Sequence, residues 1–172
     1  MKLHISNLLK LAACGLLLTF SACKSDDDSI PQPPSTQETL VSNKEKPAWQ
    51  DPAAQDMPVS MTAIIRVNLS ISYPQQMAAI NNSSASGQIP GQNDLIAAFS
   101  GETCLGVAQY IDGLFFLYIA NPPQGADQAI DIYYYSATLK NIFVARKACT
   151  FVVDDCKGSV SAPLEPNFLK TD

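Results

Sequence analysis

The longest regular pattern in the chain runs from residue 61 to 71. Every odd position is apolar (Met61, Ala63, Ile65, Val67, Leu69 and Ile71), while Thr62, Arg66, Asn68 and Ser70 fill four of the five even ones. A period of two sends alternate side chains to opposite faces of an extended backbone, so this stretch predicts one half-buried strand of eleven residues. Residues 74–92 are polar and rich in turn formers (Asn81, Asn82, Ser83, Ser84, Gly87, Pro90, Gly91), which predicts a surface loop with a helical turn over 75–80. Two apolar runs, 94–99 and 103–111, flank Ser100-Gly101-Glu102 and predict a hairpin, and Asp112-Gly113 predicts a second turn. Leu114 to Ala120 is an unbroken apolar run with three aromatics, predicted to be a strand buried on both faces, and Asn121-Pro122-Pro123-Gln124-Gly125 ends it.

Residues 129–136 alternate again. Ile130, Ile132 and Tyr134 share one side, and Asp131, Tyr133 and Tyr135 the other. Residues 142–145 and 149–153 add two β-rich pieces, and Phe168 opens a last one. Seven to eight short strands with turns between them, and no sustained helical period, predict an all-β fold over residues 47–172. An antiparallel Ig-like β-sandwich is the expected form, with a closed barrel as the competitor that spacing does not separate.

The N-terminal residues have a different character. Lys2 and Lys10 precede an apolar run, residues 11–20, of a length suited to a signal peptide and too short for a membrane span. The run closes on Phe20-Ser21-Ala22-Cys23, which resembles a bacterial lipobox, in which the cysteine is acylated and becomes the new N-terminus. Residues 1–22 are then a removed signal peptide, and Cys23 carries the acyl chains that attach the protein to a membrane. Ser25, Asp26, Asp27 and Asp28 resemble the signal with which Bacteroidota send lipoproteins to the outer face of the outer membrane. Residues 23–46, with Pro31, Pro33 and Pro34 and few apolar positions, read as a disordered acidic and proline-rich tether. Within it, Asp28-Ser29-Ile30 is read either as the O-glycosylation sequence of the same bacteria or as plain spacer.

Within the domain, three pieces resemble a family of small β-sandwich modules in surface and secreted proteins of Bacteroidota. They are Trp49 ahead of Ser60-Met61-Thr62, then Asp94-x-x-Ala97-Ala98-Phe99-x-Gly101-x-x-Cys104-x-Gly106-Val107-Ala108, and Gly158-Ser159-x-x-x-Pro163. Leu105 stands where the family is expected to carry arginine. The resemblance implies a fold and a cell-surface location, not a reaction.

Charge and composition narrow the function further. Without residues 1–22 the chain keeps nine basic side chains against sixteen acidic ones, a net charge of −7, which opposes nucleic-acid binding. His4 lies in the removed segment, so histidine-dependent nucleophilic triads and zinc sites are excluded from the mature chain. No cofactor or metal is expected, and no catalytic residue is assigned. A glycosidase pair among Asp94, Glu102, Asp112, Asp131, Asp154 and Asp155 competes with the reading of these acids as solvated turn residues. Cys104, Cys149 and Cys156 allow one disulfide or three free thiols. A bridge from Cys104 is the easier one, because an extended 149–156 stretch separates the other two unless the chain folds back at Asp154-Asp155.

Tyr133 and Tyr135 project to one side of their strand and form a candidate stacking platform for sugar rings, against cross-strand packing as the alternative. Trp49 is expected to plug the domain entrance. The expected function is a surface-exposed, non-catalytic binding or adhesion module for a glycan or a surface protein. The alternative is a structural or assembly subunit of a larger surface complex, with a hydrolase third.

Overall fold

The computed structural model describes residues 38–53, 55, 58–83, 89–121, 125 and 127–172. Cys23 and the Ser25–Asp28 signal lie outside the described residues. Among the described residues nine strands and one helix follow in order: β1 (Ser60–Ile65), α1 (Pro74–Asn81), β2 (Leu95–Ser100), β3 (Thr103–Val107), β4 (Gln109–Ile111), β5 (Leu114–Ala120), β6 (Ala129–Ser136), β7 (Asn141–Thr150), β8 (Cys156–Lys157) and β9 (Leu169–Lys170). They form a four-stranded sheet, β4-β5-β1-β8, and a five-stranded sheet, β3-β2-β6-β7-β9. All strand pairs are antiparallel except β1 with β8, which the antiparallel expectation did not include.

Two hairpin turns lie where glycine or a short acidic side chain tolerates a left-handed backbone. Gly101 (φ 59°) turns β2 into β3, and Asp112 (φ 49°) and Gly113 (φ 84°) close the two-residue β4–β5 hairpin, whose paired positive φ values match a type I′ turn. The expected single stretch 103–111 is two strands. At Ala108, whose amide bonds to the Ile96 carbonyl, the chain leaves the edge of one sheet and enters the edge of the other.

The two inner faces supply one core. Met61, Ala63 and Ile65 of β1 and Phe115, Leu117 and Ile119 of β5 face Ile130, Ile132 and Tyr134 of β6 and Phe143 and Ala145 of β7. The odd-position stripe extends beyond its strand. β1 stops at Ile65, six residues instead of eleven, yet Val67 and Leu69 are still buried. Beyond that the chain turns, with Ile71 bonded to the Asn68 carbonyl and Tyr73 to that of Leu69, and Ile71 is left 50 % exposed. The expected helical turn is α1, which opens on Pro74 and buries Met77.

Asp94, Leu105, Gly158 and Ser159 hold local structure. Asp94 is buried, and its carboxylate accepts the Gly91 and Ala137 amides at 2.9 and 2.8 Å and the Tyr134 hydroxyl at 2.5 Å, so two turns and strand β6 converge on one side chain. Leu105 points into the core and is 2 % exposed. A side chain at Gly158 (φ 77°) would stand 2.5 Å from the Leu164 nitrogen and 2.7 Å from the Ile64 carbonyl oxygen. Ser159 closes the turn that follows, accepting the Ala162 amide on its hydroxyl.

The ordered domain begins earlier than position 47. Residues 38–46, assigned above to the tether, belong to a strap of chain from Glu38 to Asp51 that lies on the five-stranded sheet. Leu40 is 2 % exposed and joins the core, and its carbonyl accepts the buried Asn141 amide at 2.9 Å. The Ser42 and Lys44 amides bond to the Leu139 and Lys140 carbonyls, and Lys44 Nζ reaches Thr171 and Asp172. One buried leucine outweighs the polar composition around it, because burial is worth about 1.5–3 kcal/mol to such a side chain.

Candidate functional site

Tyr133 and Tyr135 do not form an open platform. Tyr135 is 5 % exposed, at the end of the sheet where the strap bonds to Leu139 and Lys140. Tyr133 is half-buried in an aromatic cluster. Phe99 lies 5.0 Å away, the Trp49 ring packs edge-on against Phe99 at 5.9 Å and Tyr133 at 6.1 Å, and the Arg146 guanidinium sits 5.4 Å over the Tyr133 ring. Arg146 is also bonded to Asp131 at 2.6 Å, which raises its already high pKa. The cluster explains Trp49: it pins the strap to the sheet.

An open aromatic face exists on the other sheet. In β5 the inward Phe115, Leu117 and Ile119 alternate with Phe116, which is half-buried, and Tyr118, which is 49 % exposed. Strand register builds this face from two rows, Gln109–Phe116–Ile64 and Tyr118–Thr62–Cys156. A groove of about 490 Å³ lies on it, walled by Thr62, Ile64, Phe116 and Tyr118 and rimmed by Gln109, Val107 and Asp51. Ala63 and Leu117 form its floor with backbone, since their side chains point into the core. The Ser60 hydroxyl donates to the Tyr118 hydroxyl and holds that ring in place.

The groove combines two apolar ring surfaces with two hydroxyls, a primary amide and a carboxylate. Asp51 is brought there by the strap, its Oδ1 accepting the Val107 amide at 2.6 Å. Such a set can stack on the C–H face of a sugar ring while accepting and donating hydrogen bonds to its hydroxyls. Reading 114–120 as buried on both faces missed this site. The available signal was the Phe116/Tyr118 pair two residues apart, with a phenol whose polar tip favours water.

The other candidate groups have local roles. Asp94 is the buried acceptor described above, Asp131 binds Arg146 and the Lys147 amide, and Asp155 pairs with Lys157 at 2.6 Å. That lysine, with the Cys156 amide, holds the Asp155 carboxyl below its ordinary range. Glu102, Asp112 and Asp154 sit exposed at turns. Among the described residues no group of three or more His, Cys, Asp or Glu side chains is placed to hold a metal ion.

Cys104, Cys149 and Cys156 are free. The chain does fold back at Asp154 (φ 60°), with the Asp155 amide bonded to the Val152 carbonyl. Even so, Cys149 registers with the inward Ile130 of one sheet and Cys156 with the outward Thr62 of the other, so the first faces the core and the second faces away from it. The bridge from Cys104 to Cys149 does not form either. Three strand spacings separate β3 from β7, about 14 Å against the 4.4–6.8 Å that a disulfide spans between α-carbons. Burial raises the Cys104 and Cys149 thiol pKa values and keeps both protonated.

Among the described residues no helix is long and apolar enough to cross a membrane. Compared with protein-family models, with curated proteins and with solved structures, the chain matches none.

Proposed function

We propose that this chain is a lipid-anchored protein of the outer membrane, facing the cell exterior, whose Ig-like sandwich binds neutral glycans without catalysing a reaction. The observation that carries the binding is the outward Phe116/Tyr118 face with Asp51, Gln109 and Thr62 around it. Among the described residues the only formal charge on its lining is one carboxylate, and the mature chain is strongly acidic, so an uncharged, hydroxyl-rich ligand suits it better than an anionic one. The anchor reading rests on Cys23 behind its apolar run and on the acidic residues that follow.

Stacking on two rings gives modest affinity, with Kd in the micromolar to millimolar range. Glycan-array screening and then calorimetry on residues 23–172 carrying Cys23→Ser test this. Phe116→Ala or Tyr118→Ala should weaken binding severalfold, and an array on which nothing binds refutes the reading. In cells, Cys23→Ala should abolish fatty-acid labelling. Replacing Asp26, Asp27 and Asp28 by alanine should keep the label and hide the protein from external protease.

A further inference from the structure

We propose that Asp51 is the ligand-orienting carboxylate of the groove and that the seating of the strap, through Trp49, sets its position and thereby the affinity for a neutral oligosaccharide. The inference rests on the glycan reading above and adds a mechanism to it.

Asp51 is the groove residue that no strand carries. Thr62, Ile64, Phe116 and Tyr118 are fixed by the β1–β5 register, and Gln109 by β4. Asp51 lies on the strap and is held by one hydrogen bond from the Val107 amide, at the corner where β3 gives way to β4. That bond occupies Oδ1. Among the described residues Oδ2 accepts no hydrogen bond, which leaves it for a ligand hydroxyl. A carboxylate oxygen is the strongest acceptor available to a neutral sugar, and a charge-assisted bond is roughly twice as strong as a neutral one.

Two residues earlier on the strap, Trp49 packs against Phe99 and Tyr133 on the outer face of the opposite sheet. Trp49 does not line the groove. It acts through Asp51: with the indole seated, the chain reaches the β3 edge in one geometry, and without it Asp51 samples positions away from the groove. Because coupling between two equilibria is reciprocal, a ligand that holds Asp51 must also hold the strap against the sheet.

The test uses residues 23–172 with Cys23→Ser and, as probes, neutral hexasaccharides of glucose, xylose, mannose and galactose. Calorimetry reads affinity, and NMR hydrogen exchange reads the Val107 amide, which reports strap seating without any ligand. Asp51→Asn should leave that amide protected and weaken binding about tenfold or more, since the amide oxygen still accepts from Val107 but carries no charge. Trp49→Ala should speed exchange at Val107 and weaken binding about tenfold, Trp49→Phe should restore most of both, and probe bound to the parent should slow Val107 exchange.

If the parent binds a probe and Trp49→Ala loosens Val107 without weakening it, or Asp51→Asn binds as well as the parent, the coupling is wrong and the glycan reading stands. If no probe binds the parent, both fall. Should Trp49→Ala fail to fold, Asp51→Asn and the effect of bound probe on Val107 exchange in the parent decide: no slowing of that exchange on binding overturns the coupling.

Discussion

Gly106 on β3 lies against the backbone carbonyl of Tyr118 on β5, closer than any side chain would permit: a Cβ there would overlap that oxygen and stand 3.1 Å from its carbon. The two sheets converge at this point, beside the corner where the chain passes from one to the other. The neighbour is backbone in a paired strand, so it cannot rotate aside. Gly106→Ala should therefore cost on the order of 3 kcal/mol, from strain and a displaced strand. Gly101→Ala is the control, since its φ is 59° with nothing within 4 Å, and a left-handed residue costs about 1–2 kcal/mol. Urea melts of the two variants check the order, and a Gly106 variant as stable as the Gly101 one would contradict the close approach.

The inward stripe along and beyond β1 makes a graded series. Ile65 is fully buried, so Ile65→Ala should lose about 2–5 kcal/mol. Arg66→Ala removes a half-exposed side chain whose partner, Glu165, lies 3.2 Å away, and such surface pairs are worth about 0–1 kcal/mol. Ile71→Ala should also be mild, because the chain has turned before Ile71 and left it in solvent. A loss at Ile71 as large as that at Ile65 would mean that the strand continues to position 71.

What the sequence made legible follows from which forces are local. Strand periodicity and turn residues are local, and β5, β6, the Gly101 hairpin and the Asp112-Gly113 turn lie where the pattern put them. The end of β1 was hidden because Val67 and Leu69 keep the alternation while the backbone has left the sheet. The parallel β8 was hidden because pairing partners are set by distant chain. The stacking face was assigned to Tyr133 and Tyr135, yet alternation tells only that two side chains share a face, not whether other chain covers it. Leu40, lone among polar residues, supplied no period at all, and so the strap that covers that face was read as tether.

Tyr134 carries a pH signature. Burial, then the charge and hydrogen bond of Asp94, push its phenol well above the ordinary tyrosine value. In the unfolded chain the phenol loses its proton near pH 10, while the folded protein still holds it. The unfolded state then binds fewer protons, so stability falls as pH rises. This contribution is complete below about pH 10 and is lost as pH climbs through the folded value. Tyr134→Phe should cost about 1–3 kcal/mol at neutral pH, since the buried Asp94 loses a donor, and should flatten the decline between about pH 10 and 11. Urea midpoints at pH 7 and across that range test both parts. An equally steep alkaline decline in the variant would assign the effect elsewhere.

The start of the folded domain can be decided by truncation. A chain cut at position 47 loses Leu40, which leaves an apolar void in the core, and also the carbonyl that accepts from the fully buried Asn141 amide. The void alone is worth about 2–5 kcal/mol, and the orphaned donor about 1–3 kcal/mol more. Residues 47–172 should therefore be several kcal/mol less stable than residues 38–172. Leu40→Ala in the longer chain should reproduce the larger part of that loss while keeping the backbone hydrogen bond. Glu38→Ala should do little, because its pair with Lys170 at 3.3 Å is half-exposed. Urea melts of the four chains separate these contributions, and a chain from 47 that melts with the chain from 38 would show that the strap is carried by the domain without supporting it.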